Sequence, residues 1–345
     1  MAKNTNDRAP DPARRGLLLG AAAGLTAQAW VRPARAEAAP QSGPFDVYRD
    51  LTLDNDLTLS EGHTVIENCL IVGRRIRLSG TASLTLRDCE IRGVKESALE
   101  IASTGRVQVS NTAFDDCAGA AIRCTIDPTS GANVLIEGND FRNVALAIDA
   151  RAADTIQVFD NRSENATRAF LRLGEAQNAI VSGNHCYGAA KDGQIVLGPS
   201  SKGVVIAQNY FANGISGVVV EKDGHDTATQ ITLLGNRFQD FSREAVVLGG
   251  TSIAAHNIFD GCEAWGLWLR DGARNVQIAD NLFLSVRYGL GLPAAAPAQA
   301  VVTGNRFHNV EMPIATRGKG GAAVALSAGH PHTISGTLIE PVDSP

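Results

Sequence analysis

Val134-Leu-Ile-Glu-Gly-Asn139-Asp-Phe141 decides the fold, because the chain repeats it. Val205-Ile-Ala-Gln-Asn209-Tyr-Phe211 and Ile231-Thr-Leu-Leu-Gly-Asn236-Arg-Phe238 keep its alternation, its asparagine and the phenylalanine two residues on. Val181-Ser-Gly-Asn184 is a shorter copy, and Asn257-Ile-Phe259, Asn281-Leu-Phe283 and Asn305-Arg-Phe307 continue the series. A second short run follows each copy, a small residue and then aliphatic-x-aliphatic. Ala147-Ile-Asp-Ala150, Gly217-Val-Val-Val220, Ala245-Val-Val-Leu248, Gly266-Leu-Trp-Leu269 and Gly289-Leu-Gly-Leu292 are examples. Toward the N-terminus Cys69, Cys89 and Thr112 take the asparagine's place, followed two residues later by Ile71, Ile91 and Phe114. With Asn161 included, the corners fall at 69, 89, 112, 139, 161, 184, 209, 236, 257, 281 and 305, at gaps of 20 to 27 residues.

A period near 24 residues, made of strands too short to be stable alone, implies a stacked solenoid. Each strand pairs with its equivalent in the next coil, about 4.8 Å away, and inward aliphatics and phenylalanines form one continuous core. The corner asparagine is expected to adopt the left-handed turn and to hydrogen-bond to its neighbour in the next coil. Leucine-rich repeats have a similar period, but Leu is not periodic here in their manner, and a propeller needs about 40 residues per unit. The pattern resembles the right-handed parallel β-helix (pectin-lyase-like) superfamily, over roughly residues 60–317. The expected fold is therefore all-β, a single-stranded right-handed parallel β-helix of about eleven coils over 61–317. Residues 37–60 are expected to form an N-terminal cap or first strands, and 318–345 a C-terminal cap or tail.

Composition agrees with this reading. There are 35 glycines, aromatics are only 5%, and Val, Ile, Thr and Asn fill the middle of the chain in place of helix formers. Residues 1–36 read as a targeting segment. Ala13-Arg14-Arg15-Gly16 precedes an apolar run from Leu17 to Trp30, and Ala34-Arg35-Ala36 supplies small residues for cleavage. Paired arginines before a modest apolar run resemble a twin-arginine export signal, although Gly-Leu-Leu-Leu follows where x-Phe-Leu-Lys is more typical. The run is short for a membrane span, so no transmembrane segment is expected in the mature chain. The resemblance implies the twin-arginine translocation machinery as a partner during export, and a periplasmic or secreted location. The segment holds six basic residues against two acids, a net of +4, which leaves −9 on the remainder of a chain whose total is −5. That acidity argues against broad nucleic-acid or polyanion binding, and leaves room for a local basic groove.

The repeat also assigns the outward residues. In the second run of each coil the residue between two aliphatics points out. Up the stack it is Arg77, Glu100, Arg123, Asp149 and Arg172, and then Val196, Val219, Val247, Trp268, Gly291 and Ala315. The charged half reads either as weak ion pairing across parallel strands or as a carboxylate-binding rail of Arg123, Arg151 and Arg172. The apolar half reads as a stripe covered by a loop or by the C-terminal tail, or as a partner surface. Trp265 and Trp268 are alternatively a sugar-stacking platform.

Candidate chemistry lies on Glu221-Lys222-Asp223-Gly224-His225-Asp226-Thr227. Lys222, Asp223, His225 and Asp226 supply acids, a base and a charge neutraliser on one loop, with Lys191, Asp192, Arg243, Glu244, Arg270 and Asp271 in neighbouring coils. Uronate lyases and C5-epimerases need this combination, to stabilise an enolate-like anion and to move the C5 proton. Asp-Gly-His-Asp resembles the Asp-Pro-His-Asp motif of mannuronan epimerases, with Gly224 where that motif has proline. The set assigned to substrate is Arg243, Arg270, Trp265, Trp268 and Arg172, and the substrate an acidic polysaccharide. Against this stands a non-catalytic β-helix for binding, adhesion or envelope assembly; the signal joined to this repeat also resembles twin-arginine-exported bacterial repeat proteins of unassigned activity. Polygalacturonase segments, a calcium cluster, a Ser-His-Asp set and a dinucleotide fingerprint do not stand out, and no cofactor is expected. Without CxxC among six cysteines no zinc site is expected. Cys69 and Cys89, at equivalent corners, are within reach of a disulfide or are buried thiols. His330-Pro331-His332 reads as a surface segment rather than a metal pair.

Overall fold

Three parallel sheets wrap one core. The computed structural model describes residues 45–126, 132–153, 155–223, 226–293, 299–317, 323–325 and 332–339. Each coil contributes one strand to each sheet. In the fifth these are Val134–Glu137, Asp140–Arg142 and Leu146–Ala152. All three sheets have thirteen strands, and strands from successive coils are neighbours. The pairing is parallel until the last step of the third sheet, where Ala323–Ala325 returns antiparallel along Met312–Arg317. Right-handed crossover is the rule for such parallel connections.

All eleven corners lie between the first and second sheets. One complete coil precedes them, with strands Phe45–Arg49, Thr52–Leu53 and Leu57–Leu59. We number the coils from it. Two strands of a thirteenth follow at Thr333–Ser335 and Leu338–Ile339. The corner of coil one is Leu51, which carries no asparagine signal.

The left-handed turn sits one residue earlier than expected. Positive φ belongs to the residue before the corner: Asn68, Asp88, Asn111, Gly138, Asp160, Gly183, Gln208, Gly235, His256, Asp280 and Gly304. These are the residue types that tolerate φ > 0 at an exposed bend. The corner residue itself is thereby free to turn its side chain into the stack, where every corner asparagine is buried.

There the asparagines form a continuous wire. Asn184 Nδ2 donates to Asn209 Oδ1 at 2.9 Å and to the Val158 carbonyl at 2.9 Å, while the Asn184 backbone N–H also donates to Asn209 Oδ1 at 2.9 Å. The same three bonds recur from Asn139 through Asn281. A buried amide left unpaired would be costly, and here each is satisfied by the coils above and below. In coils two and three the wire is thinner. The Cys69 N–H donates to Cys89 Sγ at 3.4 Å, and both thiols are free and buried.

Inside, phenylalanines stack two residues past the corner. Phe211, Phe238, Phe259, Phe283 and Phe307 follow one another at 4.6–5.2 Å with near-parallel rings. The facing inward position of the third sheet is glycine at 217, 266 and 289, where a β-carbon would meet Phe238, Phe283 and Phe307 at 2.6–2.8 Å. Where the stack is interrupted by Ser163 and Cys186, the third sheet supplies the large group instead. Phe170 is buried and packs edge-on against Phe141, with centroids 6.3 Å apart. Large and small residues thus alternate across the core to hold its packing density.

Candidate functional site

The third sheet's outer face carries the candidate site. Arg77, Glu100, Arg123, Asp149, Arg172, Val196, Val219, Val247, Trp268, Gly291 and Ala315 pair in register, each with the next, as the repeat implied. The lower half is an ion-pair ladder. Arg77 Nε lies 3.2 Å from Glu100 Oε2, and the buried Asp149 lies 3.5 Å from Arg123 Nε as an ion pair and accepts a hydrogen bond from Arg151 Nε at 3.0 Å.

The apolar half closes largely on itself. Val196 and Val247 are buried and Val219 and Trp268 half-buried. Trp268 packs against Trp265 at 5.2 Å and lies where a side chain at Gly291 would be. Trp265 also packs on Tyr288 at 5.0 Å and is only 2% exposed, so it has no open face for a sugar ring. The C-terminal strand Ala323–Ala325 extends the third sheet by pairing with Ala315–Arg317; it does not lie over the valines. His332 is buried, its Nε2 2.9 Å from the Pro293 carbonyl, and is not part of a surface segment; His330 and Pro331 lie outside the described residues.

Where charge gives way to valine, the face opens into a cleft of about 400 Å³. Arg151, Arg172, Glu175, Pro199, Ser200 and Glu221 form its walls, and Gly174 and Gly198 its floor. The glycines are required there. Successive coils approach so closely that a β-carbon at Gly174 would stand 2.5 Å from the Arg151 carbonyl oxygen, and one at Gly198 would strike the Gly174 carbonyl. Arg172, in coil six, reaches past coil seven to Glu221 in coil eight, with Nη2 3.1 and 3.2 Å from its two carboxylate oxygens. Arg151 leaves 62% of its side chain exposed beside this pair. Two guanidinium groups and two carboxylates thus surround a backbone floor.

At Glu221 the chain leaves the coil. Lys222–Asp223 and Asp226–Thr227 pair antiparallel, two residues in each strand, directly after Glu221 in the chain. His225 and Gly224 lie outside the described residues, as does the export-type segment 1–36. Of the residues assigned to substrate from the sequence, the cleft takes Arg172. Arg243 lies at the opposite, strand-entry edge of the third sheet in coil nine, 3.5 Å from Glu244. Arg270 lies in coil ten, beyond the cleft, with Nε buried and without a hydrogen-bond partner. Asp192 is engaged by Arg168 at 3.0 Å. Glu175, Pro199 and Ser200 were missed because they stand in turns outside the repeat. Their available signal was the pair of in-register glycines, 174 and 198, beside Arg172.

The second sheet's outer face carries another feature the repeat did not flag. Tyr187 and Tyr210 lie 5.5 Å apart, with Arg162 over the Tyr187 ring at 5.6 Å and His185 6.0 Å from Tyr210. Burial and the neighbouring Tyr187 raise the Tyr210 hydroxyl above its ordinary pKa. Among the described residues, no helix is long and apolar enough to cross a membrane, and no group of three His, Cys, Asp or Glu is placed to hold a metal ion.

A family model described as a right handed beta helix region matches residues 74–246. No curated protein matches the chain. Among solved structures, PfbA, a surface adhesin of Streptococcus pneumoniae, is similar at 13% identity and a TM-score of 0.50, over 84% of this chain and 89% of that one. The catalytic unit of a GH87 α-1,3-glucanase from Streptomyces thermodiastaticus is similar at 15% identity and a TM-score of 0.39, over 81% of this chain and 64% of that one. At such identities the likeness is one of fold.

Proposed function

Since the chain belongs to the right-handed β-helix family, we propose that it is an exported protein holding an acidic polysaccharide in the Arg151–Arg172 cleft of its third sheet. The carrying observation is the cleft itself, a glycine-floored groove with two arginines at its wall. Guanidinium groups match carboxylates in plane and charge, so a uronate carboxylate is the group that would displace Glu221 from Arg172. Glu221 then becomes available as an acid or base next to the bound sugar, and the chain continues from it into the hairpin of Lys222, Asp223 and Asp226. This supports modification of the polymer, by lyase or C5-epimerase chemistry, as a reading built on the same binding step.

The test is binding first and chemistry second. Titration of the purified protein with alginate, pectate and hyaluronate oligosaccharides should give saturable binding to one of them. Arg172→Ala should weaken that binding at least tenfold, and Arg243→Ala should leave it unchanged. Ultraviolet absorbance of unsaturated uronate, and NMR of the recovered polymer, then separate lyase, epimerase and simple binder. Equal binding by wild type and Arg172→Ala would move the site elsewhere. No binding to any of the three polymers would remove the acidic-polysaccharide reading.

A further inference from the structure

The first sheet's outer face, away from the cleft, carries no charge over six coils. In coils seven to twelve the middle outward column runs Ile180, Val205, Thr232, Ile253, Gln277 and Val301, paired in register. The columns on either side, 178–299 and 182–303, hold only Asn, Gly, Gln, Thr, Ser, Ala and Leu. That makes eighteen outward positions, two in each of six strands and one in the turn before each strand; at the chain's average of 19% charged, three or four of them would carry charge. Instead Ile180, Leu234, Ile253 and Val301 are each 39–45% exposed. Single exposed aliphatics are ordinary, but a flat contiguous set free of charge marks an interaction surface.

We propose that this face binds the same face of a second copy of the chain, with the two-fold axis parallel to the solenoid axis. Three observations select a second copy. The face is self-complementary, since uncharged columns meet uncharged columns, and no arginine or aromatic ring is offered there to a sugar. Its extent, about 30 Å by about 17 Å, gives on the order of 1,000 Å² over two copies, the level a specific interface needs. Its edges have opposite sign. Arg274 and Asp280 are both exposed and flank the coil-eleven strand Val276–Ala279 at its start and end. An axis along the solenoid reverses strand direction in the second copy without changing height. Arg274 of each copy therefore faces Asp280 of the other, whereas an axis across the solenoid would place like edges together.

Sedimentation velocity of the full chain at tens of micromolar should show a doubled mass. Ile253→Lys or Val301→Lys should return it to monomer or weaken association at least tenfold. Ile258→Lys, on the second sheet, should not. All three positions face solvent, and an unchanged urea midpoint shows that folding is intact. Arg274→Asp should weaken the dimer, and adding Asp280→Arg should restore it. A monomer at every concentration, an Ile253→Lys variant that associates as wild type does, or association seen only with added polysaccharide would each overturn the proposal. An Arg274→Asp dimer as tight as wild type would overturn the axis assigned to it.

Discussion

Coils two to four turn on Cys69, Cys89 and Thr112, whereas coils five to twelve turn on asparagines. The backbone path is the same in both regions, with strands in register from one to the other. What differs is how neighbouring coils are tied. In the upper coils each asparagine from Asn161 to Asn281 takes two donors and donates to a carbonyl and to the next asparagine, as Asn209 does. In the lower coils sulfur makes long contacts, and the outer surface is laced by ion pairs such as Arg49–Glu67–Arg87 and Arg77–Glu100. Exposed ion pairs contribute little. The corner amide is therefore a reinforcement of the coil and not a condition for it. The cleft stands on coils five to eight, inside the reinforced region, where a rigid support holds Arg172 and Glu221 two coils apart.

The largest expected effect breaks the wire in its middle. Asn209→Ala removes the acceptor of the Asn184 backbone N–H and Nδ2, and the donor to the Val181 carbonyl. Buried groups left unpaired cost about 1–3 kcal/mol each, so the loss should be on the order of 4 kcal/mol. Cys89→Ala, at the equivalent corner below, forfeits only a small apolar group and a weak sulfur contact, about 1 kcal/mol. Urea midpoints compare the two directly. Equal losses would show that the corners do the same work and that the two regions do not differ.

A second test uses thiols, since Cys69, Cys89, Cys117 and Cys124 all belong to the lower coils. Burial pushes the Cys124 thiol to about 12, helped by the nearby Asp149, and that of Cys117 to about 11, from an ordinary value near 9. A thiol pKa raised by folding means that the native state holds its proton longer than the unfolded chain does. This contribution is complete below pH 9 and is lost as the pH rises toward 11 and 12. Stability should therefore decline over that window, and Cys124→Ala should make the decline shallower. An equally steep decline in the variant would assign it to other groups, among them Cys262 of coil ten, also raised to about 12 by burial.

How much of this was legible beforehand follows from periodicity. The outward column from Arg77 to Ala315 could be read residue by residue, because side chains alternate with a period of two and the repeat fixes the phase. The left-handed turn was read one residue late, because asparagine is itself a residue that favours that conformation; only the interior position of its amide excludes it here. Coil one was legible only as a cap or first strands within 37–60 and not as a repeat, since Leu51 at its corner is apolar like its surroundings. Of the cleft, Arg172 could be found from the column. Glu175 and Ser200 could not, because turns between coils vary in length and obey no register. The burial of Trp265 was equally hidden. An extra inward residue, Gly266, separates it from Leu267, and it shares the outer face with Trp268.

The smallest effect sharpens the comparison from the other side. Thr112 already gives its backbone N–H to Asn139 Oδ1 at 2.9 Å, but its hydroxyl turns back to the Ser110 carbonyl at 3.0 Å, and the wire ends there. Thr112→Asn would extend it by one rung. The new amide would donate to Asn139 Oδ1 and to the Leu86 carbonyl, the position equivalent to Val109 in the Asn139 contact. Its oxygen would accept the Cys89 N–H. Two or three new bonds against one hydroxyl bond lost should yield a gain of about 1 kcal/mol, read as a higher urea midpoint. Thr112 is buried, so the longer side chain must fit without moving the coils. A loss of stability would mean that spacing between coils three and four, set by Ile91 and Phe114 inside, excludes an amide, and that packing determines where the wire begins.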